Sequence, residues 1–111
     1  MMPEQDTKQA LVVLCTCADA ENAAQLAKGI VGTGLAACVN VLSEIRSIYR
    51  WRGKVQDEAE TLMIIKTTRA RYADLEAWLR DNHPYDVPEV LALPVVAGSE
   101  PYIAWLTAET S

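Results

Sequence analysis

Residues 35–51, LAACVNVLSEIRSIYRW, and residues 54–68, KVQDEAETLMIIKTT, decide the fold. In the first run Leu35, Ala37, Val39, Val41, Ile45, Tyr49 and Trp51 share one parity, while Cys38, Asn40, Glu44, Arg46 and Arg50 take the other. A period of two predicts a strand with one apolar face. Arg52-Gly53 is a turn signal, and the chain then returns through Lys54 to Thr68. Leu62 to Ile65 are apolar on both parities, which predicts cover on both faces. The two runs form a long β-hairpin whose tip is Tyr49-Arg50-Trp51-Arg52-Gly53-Lys54. Two strands of roughly 15 residues span about 50 Å, whereas a domain of this size has a radius of gyration of only ~13 Å. Either a neighbouring subunit covers the ribbon, or a bend or bulge near Ser43 folds it back. An oligomer is the favoured reading, because a bare two-stranded ribbon is marginal in water.

The flanking segments complete the pattern. Residues 9–17 are short, apolar and β-branched, as in a buried central strand. Asp19 is placed to cap a helix over 20–32, which the Gly32-Thr33-Gly34 cluster ends. Gly29 inside that helix costs roughly 1 kcal/mol against alanine unless close packing needs it. Thr68 can cap a second helix, with Tyr72, Leu75, Trp78 and Leu79 as its apolar stripe and an end near Asn82. Residues 90–96 read as a strand that Pro94 confines to an edge or a bulge. Ser99 and Pro101 open a short last helix. The order β-α-β, β-α-β, α is the α+β, ferredoxin-like split βαβ sandwich, with a long hairpin and a short C-terminal helix. Right-handed crossovers put both main helices on one face of the sheet.

The 111 residues suffice for a single domain, 1–111, of which polar residues 1–8 are expected to be flexible. A net charge of −5 argues against a binder of phosphate backbones. With no phenylalanine and no aromatic on the first strand, the base-stacking version of this fold is excluded as well. The N-terminus lacks the apolar stretch of a signal peptide, and no apolar run reaches the ~18 residues of a membrane helix. Three cysteines, two of them one residue apart, fit free thiols in a reducing compartment. The expected location is the cytoplasm, with neither nucleic acid nor membrane as partner.

Chemistry concentrates at His83-Pro84-Tyr85-Asp86-Val87-Pro88-Glu89-Val90, a proline-stiffened corner that holds the single histidine. An imidazole, a phenol and carboxylates there are placed to hold a ligand; the plain alternative is prolines that end a helix and a histidine that favours its dipole. Cys15 and Cys17 share a strand face, and a Cys-x-Cys pair with an imidazole suits a soft ion such as copper(I). Packing as small hydrophobes is the plain alternative, preferred for Cys17 and Cys38. A Cys–His nucleophile oriented by Asp86 or Glu89 has no supporting motif. No Walker A or G-x-G-x-x-G run is present, so a phosphate cradle has no support. Trp51, Trp78 and Trp105 read as core or interface anchors.

Five segments occur in an order that resembles the divalent-cation tolerance (CutA) family. They are Leu35-Ala36-Ala37-Cys38-Val39-Asn40, then Tyr49 to Lys54, Lys66-Thr67, His83-Pro84-Tyr85 with Pro88-Glu89, and Tyr102-Ile103-Ala104-Trp105. The resemblance implies a homotrimer with interlocking hairpins, a role in the response to copper and other divalent cations, and no enzymatic activity. It implies copper as the cofactor ion, no organic cofactor, and metal ligands at Cys15 and His83. Asn82 stands where the family pattern has a first histidine and is the weaker ligand. Similarity of architecture to PII-type trimers gives the alternative, a sensor or adaptor with an intersubunit cleft. Tyr85, Glu89, Tyr49, Trp51 and Trp105 are the candidates for that cleft or the interface. No protein partner other than a second copy is named by the sequence.

Overall fold

The computed structural model describes residues 7–111. Of the N-terminal segment expected to be flexible, residues 1–6 lie outside the described residues. Thr7 and Lys8 form a turn, and the Thr7 carbonyl accepts from the Ala70 amide at 3.0 Å.

The elements are β1 (Ala10–Cys17), α1 (Ala20–Gly32), β2 (Cys38–Trp51), β3 (Lys54–Thr68), α2 (Arg69–Asn82), β4 (Leu91–Pro94) and α3 (Glu100–Glu109). The sheet order is β2-β3-β1-β4, with every neighbouring pair antiparallel. This is the expected ferredoxin-like arrangement, with β4 at an edge where Pro94 can be tolerated. Asp19 caps α1 by accepting from the Asn22 amide at 2.8 Å, and Ser99 caps α3 by accepting from the Tyr102 amide. Thr68 precedes α2 without a side-chain cap; its hydroxyl lies 3.5 Å from that of Thr110 instead.

Alternation decides which side chains are buried. Val13, Cys15 and Cys17 of β1 and Met63 and Ile65 of β3 point toward the helices. There they pack with Ala23, Leu26 and Ile30 of α1 and Leu75 and Leu79 of α2. The opposite face is apolar but only partly covered. Leu14 sits beside Ile64 and Leu91, and Val12 beside Leu93. The expected cover on both faces is therefore half met within one chain: Leu62 and Ile64 are half-buried, and Leu91 and Leu93 are 58% and 50% exposed.

The helices approach each other at Gly29. A Cβ at this position would lie 2.8 Å from Cζ2 of Trp78 and 3.0 Å from Cη2. Gly29 is thus required by close packing. Gly29→Ala is expected to destabilise by about 1–2 kcal/mol in urea denaturation, since a rigid indole must tilt and the overpacking exceeds the ~1 kcal/mol gain in helix propensity. At Gly32, where the same atom meets nothing within 4 Å, alanine is expected to be neutral or slightly stabilising. Equal effects at the two glycines would contradict this packing.

The hairpin closes with Trp51 paired to Lys54 and positive φ at both Arg52 (52°) and Gly53 (79°), as in a two-residue type I′ turn. Its alternation is broken. Ser43 pairs with Thr61, but Ile45 pairs with Glu60, so Glu44 is an extra residue in a β-bulge. One face for Leu35 through Trp51 was the expectation; the bulge corrects it. Val39 and Val41 are in register with Ile65 and Met63 on the helix side, whereas Ile45, Tyr49 and Trp51 turn to the other face. The bulge lies where the sequence allows it, near Ser43, yet the ribbon beyond it still exposes Ile48, Val55 and Trp51.

Candidate functional site

The corner after α2 is built by its prolines. His83 ends the helix with its amide on the Leu79 carbonyl at 2.8 Å, in the extended conformation that Pro84 enforces. Its imidazole turns under the end of β1 and is only 6% exposed. Nδ1 accepts from the Tyr85 amide at 3.1 Å, which leaves the proton on Nε2. Nε2 lies 2.9 Å from the Thr16 carbonyl, to which it donates, and 3.8 Å from Cys17 Sγ. The Tyr85 ring packs on the imidazole at 4.7 Å between centroids.

Of the residues expected to bind metal, His83 thus stands against Cys17, the thiol assigned by the sequence to plain packing. Cys15 is fully buried on the same strand face, with Sγ 3.9 Å from the Thr16 carbonyl. Asn82 is exposed, and its amide group donates back to the Trp78 carbonyl at 2.9 Å. Cys38 lies in β2, opposite Lys66. The neighbouring Cys17 thiol, then burial, raise the Cys15 pKa, and the nearness of Cys15 lowers that of Cys17. Two thiols and an imidazole are the soft donor set that copper(I) prefers. Cys17 Sγ and His83 Nε2, 3.8 Å apart, are the side chains that would hold such an ion. For Nε2 to present a lone pair on a neutral ring, the proton would have to sit on Nδ1, and the bonds to both the Thr16 carbonyl and the Tyr85 amide would be given up. Among the described residues no three His, Cys, Asp or Glu side chains converge well enough to hold a metal ion.

A second feature adjoins this corner. Tyr49, Trp51, Glu58 and Glu60 of the hairpin face Tyr85 and Glu89 across a cleft of about 610 Å³. Four of the five expected cleft residues meet there. Trp105 does not; it lies on α3, its ring 5.4 Å from that of Tyr102. Tyr85 donates from its hydroxyl to Glu60 Oε2 at 2.8 Å, and Tyr49 donates to Glu58. Burial, then the hydrogen bond to Glu60, push the Tyr85 pKa up. Partial burial, then the Glu60 charge, raise the carboxyl of Glu89 at the rim. Glu58 and Glu60 were missed. Their spacing of two on the return strand, across from Tyr49, was the available signal, but without the bulge Tyr49 falls on the opposite face from them.

The family model for the CutA1 divalent ion tolerance protein matches residues 11–109. The divalent-cation tolerance protein CutA of Pectobacterium atrosepticum is 41% identical over 107 residues, covering 96% of this chain and 97% of that protein. The chloroplastic protein CutA of Arabidopsis thaliana is 44% identical over 110 residues; the match takes in 99% of this chain and 60% of that longer protein. The crystal structure of CutA1 from Oryza sativa superposes with a TM-score of 0.90 at 44% identity, over 93% of this chain and 94% of that one.

Proposed function

Because the chain belongs to the CutA1 divalent ion tolerance family, we propose that it serves the response to divalent cations as a cytoplasmic homotrimer of single-domain subunits, taking copper at Cys17 and His83 with Cys15 alongside. The observation that carries the metal site is the buried contact of Cys17 Sγ with His83 Nε2 at 3.8 Å. Bound there, copper would withdraw charge from a thiolate and a neutral imidazole. The chain's own part is to prepare the donors. The fold holds the Cys17 thiol and the His83 ring side by side out of water, and in the metal-free protein the Tyr85 amide and the Thr16 carbonyl keep that ring in place. Uptake must then release protons. The half-open apolar sheet face and the exposed ribbon support assembly. The free thiols support a reducing compartment. The role is one of binding rather than catalysis.

A copper(I) titration of the reduced protein, read by native mass spectrometry, tests the site and the assembly together. The expected species is a trimer with one copper per subunit, and Cys17→Ser is expected to abolish uptake. Undiminished uptake by Cys17→Ser would overturn the site, and a monomeric mass would overturn the assembly.

A further inference from the structure

The His83 ring is held from three sides. Nδ1 accepts from the Tyr85 amide at 3.1 Å, Nε2 lies 2.9 Å from the Thr16 carbonyl, and the Tyr85 ring packs on the imidazole at a 52° tilt. Two of these three holds come from Tyr85. Tyr85 is itself pinned, because its hydroxyl donates to Glu60 Oε2 at 2.8 Å. Glu60 is only 9% exposed; it stands in β3 opposite Ile45, at the bulge from which the ribbon departs. A chain of contacts therefore runs from the base of the hairpin through Tyr85 to the imidazole, and on to Cys17 Sγ at 3.8 Å. The donor set for copper explains the last link of that chain and not the first.

We propose that Tyr85, pinned by Glu60, is a positioning residue that locks the His83 ring in the form unable to take metal, so that the seat of the hairpin sets the affinity of the Cys17–His83 site. The proposal rests on the copper reading of that site. In the locked form the proton is on Nε2, the nitrogen beside the thiol. A lone pair there requires the proton on Nδ1, and Nδ1 can then no longer accept from the Tyr85 amide. While Tyr85 stays pinned, the two N–H groups would face each other, so the pin opposes the binding tautomer. The Tyr85 ring, held by the same pin, also keeps the imidazole from turning away. Apparent affinity falls in proportion to the fraction of protein in the competent form, and cutting the pin raises that fraction. A Tyr85 that only supported the corner would have the opposite sign, because loosening a ligand weakens uptake. The coupling is reciprocal: a loaded site loosens the hold of the corner on the hairpin.

Competition of the reduced, assembled protein with a chromophoric copper(I) chelator, at one pH, tests the sign. Tyr85→Phe removes the pin and keeps the ring, and is expected to bind copper(I) about three- to tenfold more tightly than wild type. Glu60→Gln keeps a weaker acceptor for the Tyr85 hydroxyl and is expected to show a smaller rise. Tyr49→Phe, which removes the neighbouring hydroxyl bonded to Glu58, is the control and is expected to leave the affinity unchanged. The nitrogen-15 shifts of the imidazole in the metal-free proteins give a second reading that needs no copper. Wild type is expected to hold its proton on Nε2, and Tyr85→Phe to gain the Nδ1 tautomer. Affinity unchanged or weakened in both pin variants, or an equal rise in Tyr49→Phe, would overturn the proposal. A wild type that takes up no copper would overturn the metal site instead, and the same tautomer in wild type and Tyr85→Phe would then overturn the lock as well.

Discussion

The double variant Leu42→Lys, Leu91→Lys is expected to convert the assembled protein to single chains of about the 12.2 kDa subunit mass. Leu42 sits opposite Leu62, and Leu91 opposite Leu14, on the sheet face turned away from the helices. Both are accessible in one chain, 42% and 58% exposed, so neither lysine disturbs the core around Met63 and Leu79. In an assembly that covers this face, each leucine is worth about 1.5–3 kcal/mol of burial. Each lysine adds the cost of an unpaired charge where water has been removed. In the proposed trimer the change is carried three times over, so the loss is expected to be all or none. Sedimentation equilibrium across a hundredfold range of concentration reads the outcome. Gln25→Lys, on the exposed side of α1, is the control and is expected to leave the mass unchanged. A double variant that still sediments as a trimer would show that this sheet face is not the interface.

The same sheet shows what the sequence could and could not display. Local chemistry was legible: Asp19 and Ser99 cap the helices, Arg52-Gly53 turns the hairpin, and Pro94 lies on the edge strand. Each acts within a few residues of itself. The bulge at Glu44 was not legible in phase. Ser43 and Glu44 are both polar, no glycine or proline marks the extra residue, and alternation resumes after it without a visible break. That single residue carries Tyr49 and Trp51 to the face where the cleft forms. The contact of Cys17 with His83 was not legible for a related reason. Cys15 and Cys17 share one parity and equal burial, and only the reach of the His83 ring under the strand end distinguishes them. Glu60 looks like one more solvated charge in Asp57-Glu58-Ala59-Glu60, and only the fold brings the Tyr85 hydroxyl to it.

His83→Ala is expected to cost about 2–4 kcal/mol in the metal-free protein. The substitution removes a nearly buried ring that packs against Tyr85 and Cys17. It also leaves the Thr16 carbonyl and the Tyr85 amide without partners. An unsatisfied buried polar group costs about 1–3 kcal/mol, and a large-to-small change in a packed site adds a comparable penalty. A loss of copper in this variant alone would therefore not separate ligation from support of the corner. Cys17→Ser separates them, because it keeps the size of the side chain and leaves both imidazole hydrogen bonds in place. Its metal-free stability is expected to fall by about 1–3 kcal/mol, the cost of a hydroxyl in a fully buried site. Wild type and Cys17→Ser should then diverge once copper is added. Wild type gains about 2.7 kcal/mol at a free concentration a hundred times its dissociation constant, and Cys17→Ser gains nothing. Urea denaturation of the three proteins, with and without copper(I), measures all of these terms. A stable His83→Ala would mean that the imidazole does not hold the corner. A Cys17→Ser protein that copper still stabilises would remove the thiol from the metal site while leaving its place in the core intact.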